Sequence, residues 1–157
     1  MAIGFETVTS YFPETKKTKD DYAYMRHMMS EFMGPPNEKR VLERRDAAEV
    51  LAVSAANKAI KQAGLSSGDI DFLIVDHIGG DIIIPGLAGH VHLKLGLQEQ
   101  VPAWNLQNCC AGFLDGCYLA STMLSAHENY NRVLVVTVSA FNTGGWGNDK
   151  SDPFCIK

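Results

Sequence analysis

The residues best suited to chemistry lie in Trp104-Asn105-Leu106-Gln107-Asn108-Cys109-Cys110-Ala111-Gly112-Phe113. Before the turn, Val101–Leu106 reads as a short strand. After it, Gly112–Glu128 reads as a helix with apolar positions Phe113, Cys117, Leu119, Ala120, Met123 and Leu124. A strand that turns through a tight polar loop into a helix start is a favourable seat for a nucleophile. The first helical turn leaves backbone N–H groups unpaired, and the macrodipole favours negative charge there. A cysteine so placed has its thiolate stabilised. Cys110 is the candidate, with Ala111 and Gly112 small enough for an acyl group to approach the backbone closely. The same spacing fits a buried structural cysteine, because free Cys is among the most buried residue types. Spacing alone favours that second reading.

The other reactive side chains carry less. Cys109, Cys110, Cys117 and Cys155 include no paired metal-ligand spacing, so neither a zinc site nor a disulfide framework is indicated, and a reducing cytoplasm fits best. His77 lies beside Gly79-Gly80 in what reads as a loop, where a base is conceivable but a loop residue without a chemical role is the commoner case. His90 and His92 are two apart and point to different sides of a helix, which argues against a two-histidine metal site. Arg40-Val41-Leu42-Glu43-Arg44-Arg45 is a solvated charge run or, alternatively, an anion-binding edge, the former being favoured.

Positioning these residues takes a domain with a core, and 157 residues suffice for one. Hydrophobic residues make up 46% and charged residues 20%, as in ordinary globular proteins. A formal net charge of −4 argues against a nucleic-acid partner. No apolar run is long enough to span a membrane, and Met1–Glu6 shows no secretory signal.

In chain order, Ile3–Phe12 reads as a strand ended by Pro13, and Thr18–Met33 as a methionine-rich segment of near-helical spacing, broken at Gly34-Pro35-Pro36-Asn37. Asp46 caps a helix running to Ala63, with Ala48, Leu51, Ala52, Ala55, Ala59 and Ala63 on one face, and Gly64 ends it. Ile70–Val75 is a nearly continuous apolar run, expected of a strand buried on both faces, followed by an Asp76–Asp81 loop. Pro85–Leu95 is a helix closed by Gly96. Arg132–Val138 is a β-branched central strand, followed by a glycine-rich loop over Ser139–Asp149 that lacks any phosphate-binding fingerprint. The alternation predicts an α/β domain with a mainly parallel, mixed sheet of about five strands and helices on its faces.

Asn108-Cys109-Cys110-Ala111-Gly112-Phe113 resembles the Ala-Cys-Ala-Gly-Phe nucleophile turn of β-ketoacyl-acyl-carrier-protein synthase III, a thiolase-like condensing enzyme. Ile70–Val75 resembles that family's strand before its acyl-pocket loop, Ile84-Pro85-Gly86-Leu87-Ala88 the helix start that follows, Leu95-Gly96-Leu97 the close of that helix, and Arg132–Val136 the strand after the nucleophile helix. Five segments in register cover almost the whole chain and reverse the reading of Cys110. The resemblance implies a thiolase-like half, residues 1–157 corresponding to the N-terminal, cysteine-bearing half. The family's catalytic His and Asn belong to a second half that this chain does not contain. It also implies a substrate entrance near Phe32, where the family has a Trp; the family's Arg near Leu42 is missing, which points to delivery by an acyl-carrier protein rather than free CoA. Ile84 corresponds to the residue that closes the acyl pocket of a dimer partner.

The implied chemistry is ping-pong acyl transfer without a cofactor, in fatty-acid or polyketide biosynthesis. Cys110 takes an acyl group from an acyl-CoA or acyl-carrier-protein thioester, with the backbone at Ala111 and Gly112 close to the acyl group, and a malonyl thioester decarboxylates and attacks the acyl-enzyme. The partners implied are those thioesters, together with a second copy in a homodimer or a chain carrying the complementary half. The rival reading is a non-catalytic structural half that pairs with a second polypeptide.

Overall fold

The computed structural model describes residues 3–18, 38–40, 47–79 and 84–140. The Asp46 cap, Phe32, Leu42, Cys155, the glycine-rich loop after Ala140 and all but the first residue of the Thr18–Met33 segment lie outside them.

A short antiparallel pair comes first: β1 (Lys16–Thr18) against β2 (Glu38–Arg40), with Lys16 opposite Arg40. Neither strand is apparent from hydrophobic pattern, since both are charged. Arg40 donates from Nη1 to the carbonyls of Pro13 at 3.1 Å and Glu14 at 3.0 Å, so the first cation of the Arg40–Arg45 run holds backbone. The remainder of that run lies outside the described residues. Ile3–Phe12, expected as a strand, joins no ladder among the described residues. It is held instead through Glu6, which accepts from Arg132 Nε at 3.1 Å, and through the Ser10 carbonyl, which accepts from Lys58 Nζ at 2.9 Å.

The main sheet is parallel, in the order β4–β3–β5, with β3 (Phe72–Gly79) between β4 (Ala103–Leu106) and β5 (Val133–Ala140). Helix α1 (Ala47–Gln62) precedes β3, α2 (Leu87–Leu95) connects β3 to β4, and α3 (Gly112–Ala126) carries the chain from β4 past β3 to β5. The fold is thus α/β, and among the described residues five strands are divided between two sheets rather than gathered in one.

Strand alternation assigns the two faces. Leu73 and Val75 of β3 pack with Val136, Val138 and Ala140 of β5 against α1 and α2, burying Ala48, Leu51, Ala52, Ala56 and Ile60 from one and Leu87, Ala88, Val91 and Leu95 from the other. Phe72 and Ile74 face α3, with Ala120 buried and Leu106, Val133 and Val135 packed around them. Burial of both faces explains the unbroken apolar run in β3. At the head of the sheet, the Asp71 carboxylate accepts the N–H groups of Asn131 at 2.8 Å and Arg132 at 2.9 Å, fixing the start of β5 beside β3.

Helix α3 corrects the expected packing. Its buried positions are Gly112, Gly116 and Ala120, a small-residue stripe four apart, whereas Phe113, Leu114 and Tyr118 are exposed. A side chain at residue 116 would put its Cβ 2.7 Å from Val135 Cγ1, so the helix lies too close to the sheet for anything but glycine. The apolar periodicity read from Phe113 and its neighbours follows the half-buried and solvent sides.

Candidate active site

Two parallel strands end at the same edge of the sheet, and the chain leaves β4 there as Gln107-Asn108 and enters a single 3-10 turn, Cys109–Ala111, that runs directly into α3. The carboxyl ends of parallel strands are where open α/β sheets place ligands. Cys110 is therefore at the start of the helix, as expected, and it is exposed to solvent. The alternative of a buried structural cysteine does not describe it.

The turn is sharp because Cys109 adopts φ +49°, a left-handed conformation rare for a residue with a side chain. Such backbone costs about 1–3 kcal/mol and concentrates at functional sites. Cys109 is also exposed, so two thiols flank one bond at the surface. Cys117, two turns further along α3, is half-buried, and desolvation raises its thiol above the usual range. The helix start thus carries the exposed thiols and the helix body a half-buried one.

Beneath the turn sits Asp76, which its place after the apolar run predicts in a loop. Strand β3 does not end at Val75 but continues to Gly79, so Asp76 and His77 are strand residues on opposite faces. The reason is the ladder: Asp76 pairs with Leu106 on one side and Thr137 on the other, and His77 with Val138, so neighbouring strands extend β3 past its apolar run. Asp76 is 2% exposed, and its Oδ1 accepts the N–H of Asn108 at 3.0 Å. Its carboxylate also fills the space beside Gly112: a Cβ there would lie 2.0 Å from Asp76 Cγ. The Asn108 side chain donates in turn to Asp115 Oδ2 in the first turn of α3. His77, expected in a loop, is a 4% exposed strand residue on the α1–α2 face, with Nδ1 lacking a hydrogen-bond partner among the described residues.

The remaining site residues fall as follows. Ala111 and Gly112 flank Cys110 in the turn, Ala111 exposed and Gly112 buried. Ile84 is 90% exposed, on the approach to α2, where the Ile84–Pro85 bond is cis. Asn105 organises that approach: its Oδ1 accepts the Ala88 N–H at 2.7 Å, capping α2, and its side chain occupies the space beside Gly86 that a Cβ would need. Phe32 lies outside the described residues. His90 stands 3.8 Å from Glu49 and His92 bonds the Gln98 carbonyl at 3.1 Å, so each is engaged locally, and no group of metal-binding side chains occurs among the described residues.

A groove of about 850 Å³ lies elsewhere. It follows the open edge of β5 between α1, α3 and the Ile3–Thr9 segment and includes Cys117 but not Cys110. Cys110 and the volume of this groove are separate features.

No family model matches the chain. Among curated proteins, β-ketoacyl-[acyl-carrier-protein] synthase III of Fusobacterium nucleatum is 30% identical over 139 residues, covering 87% of this chain and 42% of that protein. The Rickettsia canadensis enzyme of the same name is 35% identical over 101 residues, covering 64% and 31%. Among solved structures, a priming β-ketosynthase of a polyketide biosynthetic pathway superposes with a TM-score of 0.74 at 21% identity, over 85% of this chain and 40% of that one. The 3-oxoacyl-[acyl-carrier-protein] synthase III of Aquifex aeolicus gives 0.70 at 20% identity, over 82% and 42%. The chain spans less than half the length of the curated relatives it matches.

Proposed function

Since the chain is a relative of β-ketoacyl-[acyl-carrier-protein] synthase III with a thiolase-like fold, we propose that it is the nucleophile-bearing part of a condensing enzyme and that Cys110 accepts the acyl group. The observation that carries this is the position of Cys110: exposed, at the carboxyl edge of a parallel sheet, in a strained turn that opens α3. The Cys110 thiolate attacks the carbonyl of an acyl thioester, supplied by CoA or a carrier protein, and expels the donor thiolate, leaving the acyl group on sulfur. Backbone N–H groups near Cys110 are the local donors for the oxyanion. A malonyl thioester then loses CO₂, and its carbanion attacks the acyl carbonyl and displaces the Cys110 thiolate.

That second step requires donors for the malonyl thioester oxygen. The resemblance assigns them to a His and an Asn beyond the part this chain matches; His77 is buried in β3, and His90 and His92 are engaged locally on α2. We propose that they come from a segment or partner that carries the complementary half. Pairing is supported by Phe113, Leu114 and Tyr118, which leave an apolar face along the helix that bears the nucleophile.

Incubation of the chain with an acyl-CoA or acyl-carrier-protein thioester, followed by intact-mass measurement and fragment mapping, tests the proposal. The acyl mass is expected on Cys110 and absent in Cys110→Ala, which retains its fold because Ala is small and apolar. Limiting iodoacetamide is expected to label Cys110 ahead of Cys117, whose thiol burial disfavours ionisation. Acylation of Cys110→Ala at an undiminished rate refutes the assignment.

A further inference from the structure

The carboxylate beneath the nucleophile turn has no part in the acyl-transfer steps above, yet it is the most deeply buried polar group touching that turn. Asp76 accepts the N–H of Asn108, two residues before Cys110, at 3.0 Å. Its carboxyl carbon and oxygens occupy the space beside the Cα of Gly112, two residues after Cys110. One side chain thus fixes both ends of the five-residue arc whose middle is the thiol. Its own position is set by the ladder, since Asp76 is paired with Leu106 and Thr137 in neighbouring strands.

We propose that Asp76 is the positioning residue of Cys110: by holding the Asn108 N–H and filling the gap at Gly112, it sets where the sulfur stands relative to the N–H groups at the head of α3. The inference rests on Cys110 being the reactive thiol. It makes the central strand of the sheet, rather than the loop, the reference for the geometry of the site. The hydrogen bond is the operative contact. An amide at residue 76 keeps an acceptor at Oδ1 and nearly the same volume, while an alanine removes both. Asn108 links the arc onward to Asp115 through its side chain, so the Asp76 anchor also fixes the register of the first turn of α3.

The test is the rate of site-specific alkylation of Cys110 by iodoacetamide, read by fragment mapping in the full chain, with Cys117 in the same sample as internal reference. Asp76→Ala is expected to slow Cys110 by about tenfold or more, since a displacement on the order of 1 Å at a reacting group costs that much, with Cys117 unaffected. Asp76→Asn is expected to restore at least the parental rate. Should Asp76→Ala fail to fold by circular dichroism, Asp76→Ser, whose hydroxyl is too short to reach Asn108, takes its place with the same expectation. An unchanged Cys110 rate in the Ala or Ser variant overturns the proposal. So does an Asn variant as slow as the Ala variant, which assigns the effect to charge instead of the hydrogen bond. Alkylation that follows this order in a chain that no acyl thioester loads leaves the positioning role standing and removes the acyl-transfer reading alone.

Discussion

At residue 112 a methyl group has nowhere to go. The carboxylate of Asp76 is already where the Cβ would be, 2.0 Å away at its nearest atom, and Asp76 is held by its bond to Asn108. Gly112→Ala therefore forces either the carboxylate or the head of α3 to move. Overpacking of this kind costs about 1–3 kcal/mol, and the expected outcome is a urea midpoint lowered accordingly, with alkylation of Cys110 slowed in the same variant. A midpoint and a rate both equal to those of the parent would show that the turn yields without cost. The glycine and the cysteine were both legible in the sequence, because a strand-to-helix turn with small residues behind a thiol is a local pattern. Asp76 was not. Hydrophobic pattern ends the strand where its apolar run ends, and only the pairing with β4 and β5 shows that the chain stays extended through a buried carboxylate and a buried imidazole.

Among the elements, α3 is where pattern and packing part. Hydrophobic periodicity weights large side chains, whereas this helix seats on the sheet through Gly112, Gly116 and Ala120, which contribute almost nothing to such a pattern. Its true inner face was therefore invisible as a hydrophobic stripe, while the boundaries of α2 and α3 were nearly right because glycine and the turn residues mark them. Two glycines separate the effects. Gly116→Ala gains up to about 1 kcal/mol of helix propensity but drives a Cβ to 2.7 Å from Val135 Cγ1, and a net loss on the order of 1–2 kcal/mol is expected as the overpacking cost exceeds the propensity gain. Gly89→Ala, in α2, meets nothing within 4 Å and is expected to stabilise the protein by about 0.5–1 kcal/mol. Chemical denaturation of the pair measures both signs; a stabilised Gly116→Ala would mean that α3 stands further from the sheet than described.

At the scale of the molecule, the described residues are asymmetric about the sheet. The face carrying α1 and α2 buries a large cluster, and the face carrying α3 a small one around Phe72, Ile74 and Ala120. Tyr118 remains 72% exposed on that helix, with Phe113 and Leu114 beside it. A chain that keeps this much apolar surface on one helix is expected to associate, so static light scattering at micromolar concentration should give at least twice the mass of one chain. Tyr118→Lys together with Leu114→Lys should shift it toward the single-chain mass without lowering helix content. A monodisperse single chain in the parent protein would count against pairing through α3. The sequence conveyed the α/β class through the order of its elements, since each strand and helix carries its own periodicity. It could not convey that β5 crosses back to the far side of β3, because pairing partners leave no mark on either strand's own residues.

That return of β5 has a consequence in time. The bond between Asp71 and Arg132 closes a separation of 61 residues, so the middle strand of the sheet is synthesised long before the neighbour that completes it. At translation rates of roughly 5–20 residues per second, Phe72–Val75 waits about 3–12 s beyond its own emergence before β5 has been made. Through that interval one edge of the most apolar strand is open to any other extended chain. A nascent chain of this protein thus carries its aggregation risk as a delay on the ribosome, and synonymous codons that lengthen the passage from α3 to β5 should lower the soluble yield without altering a single residue.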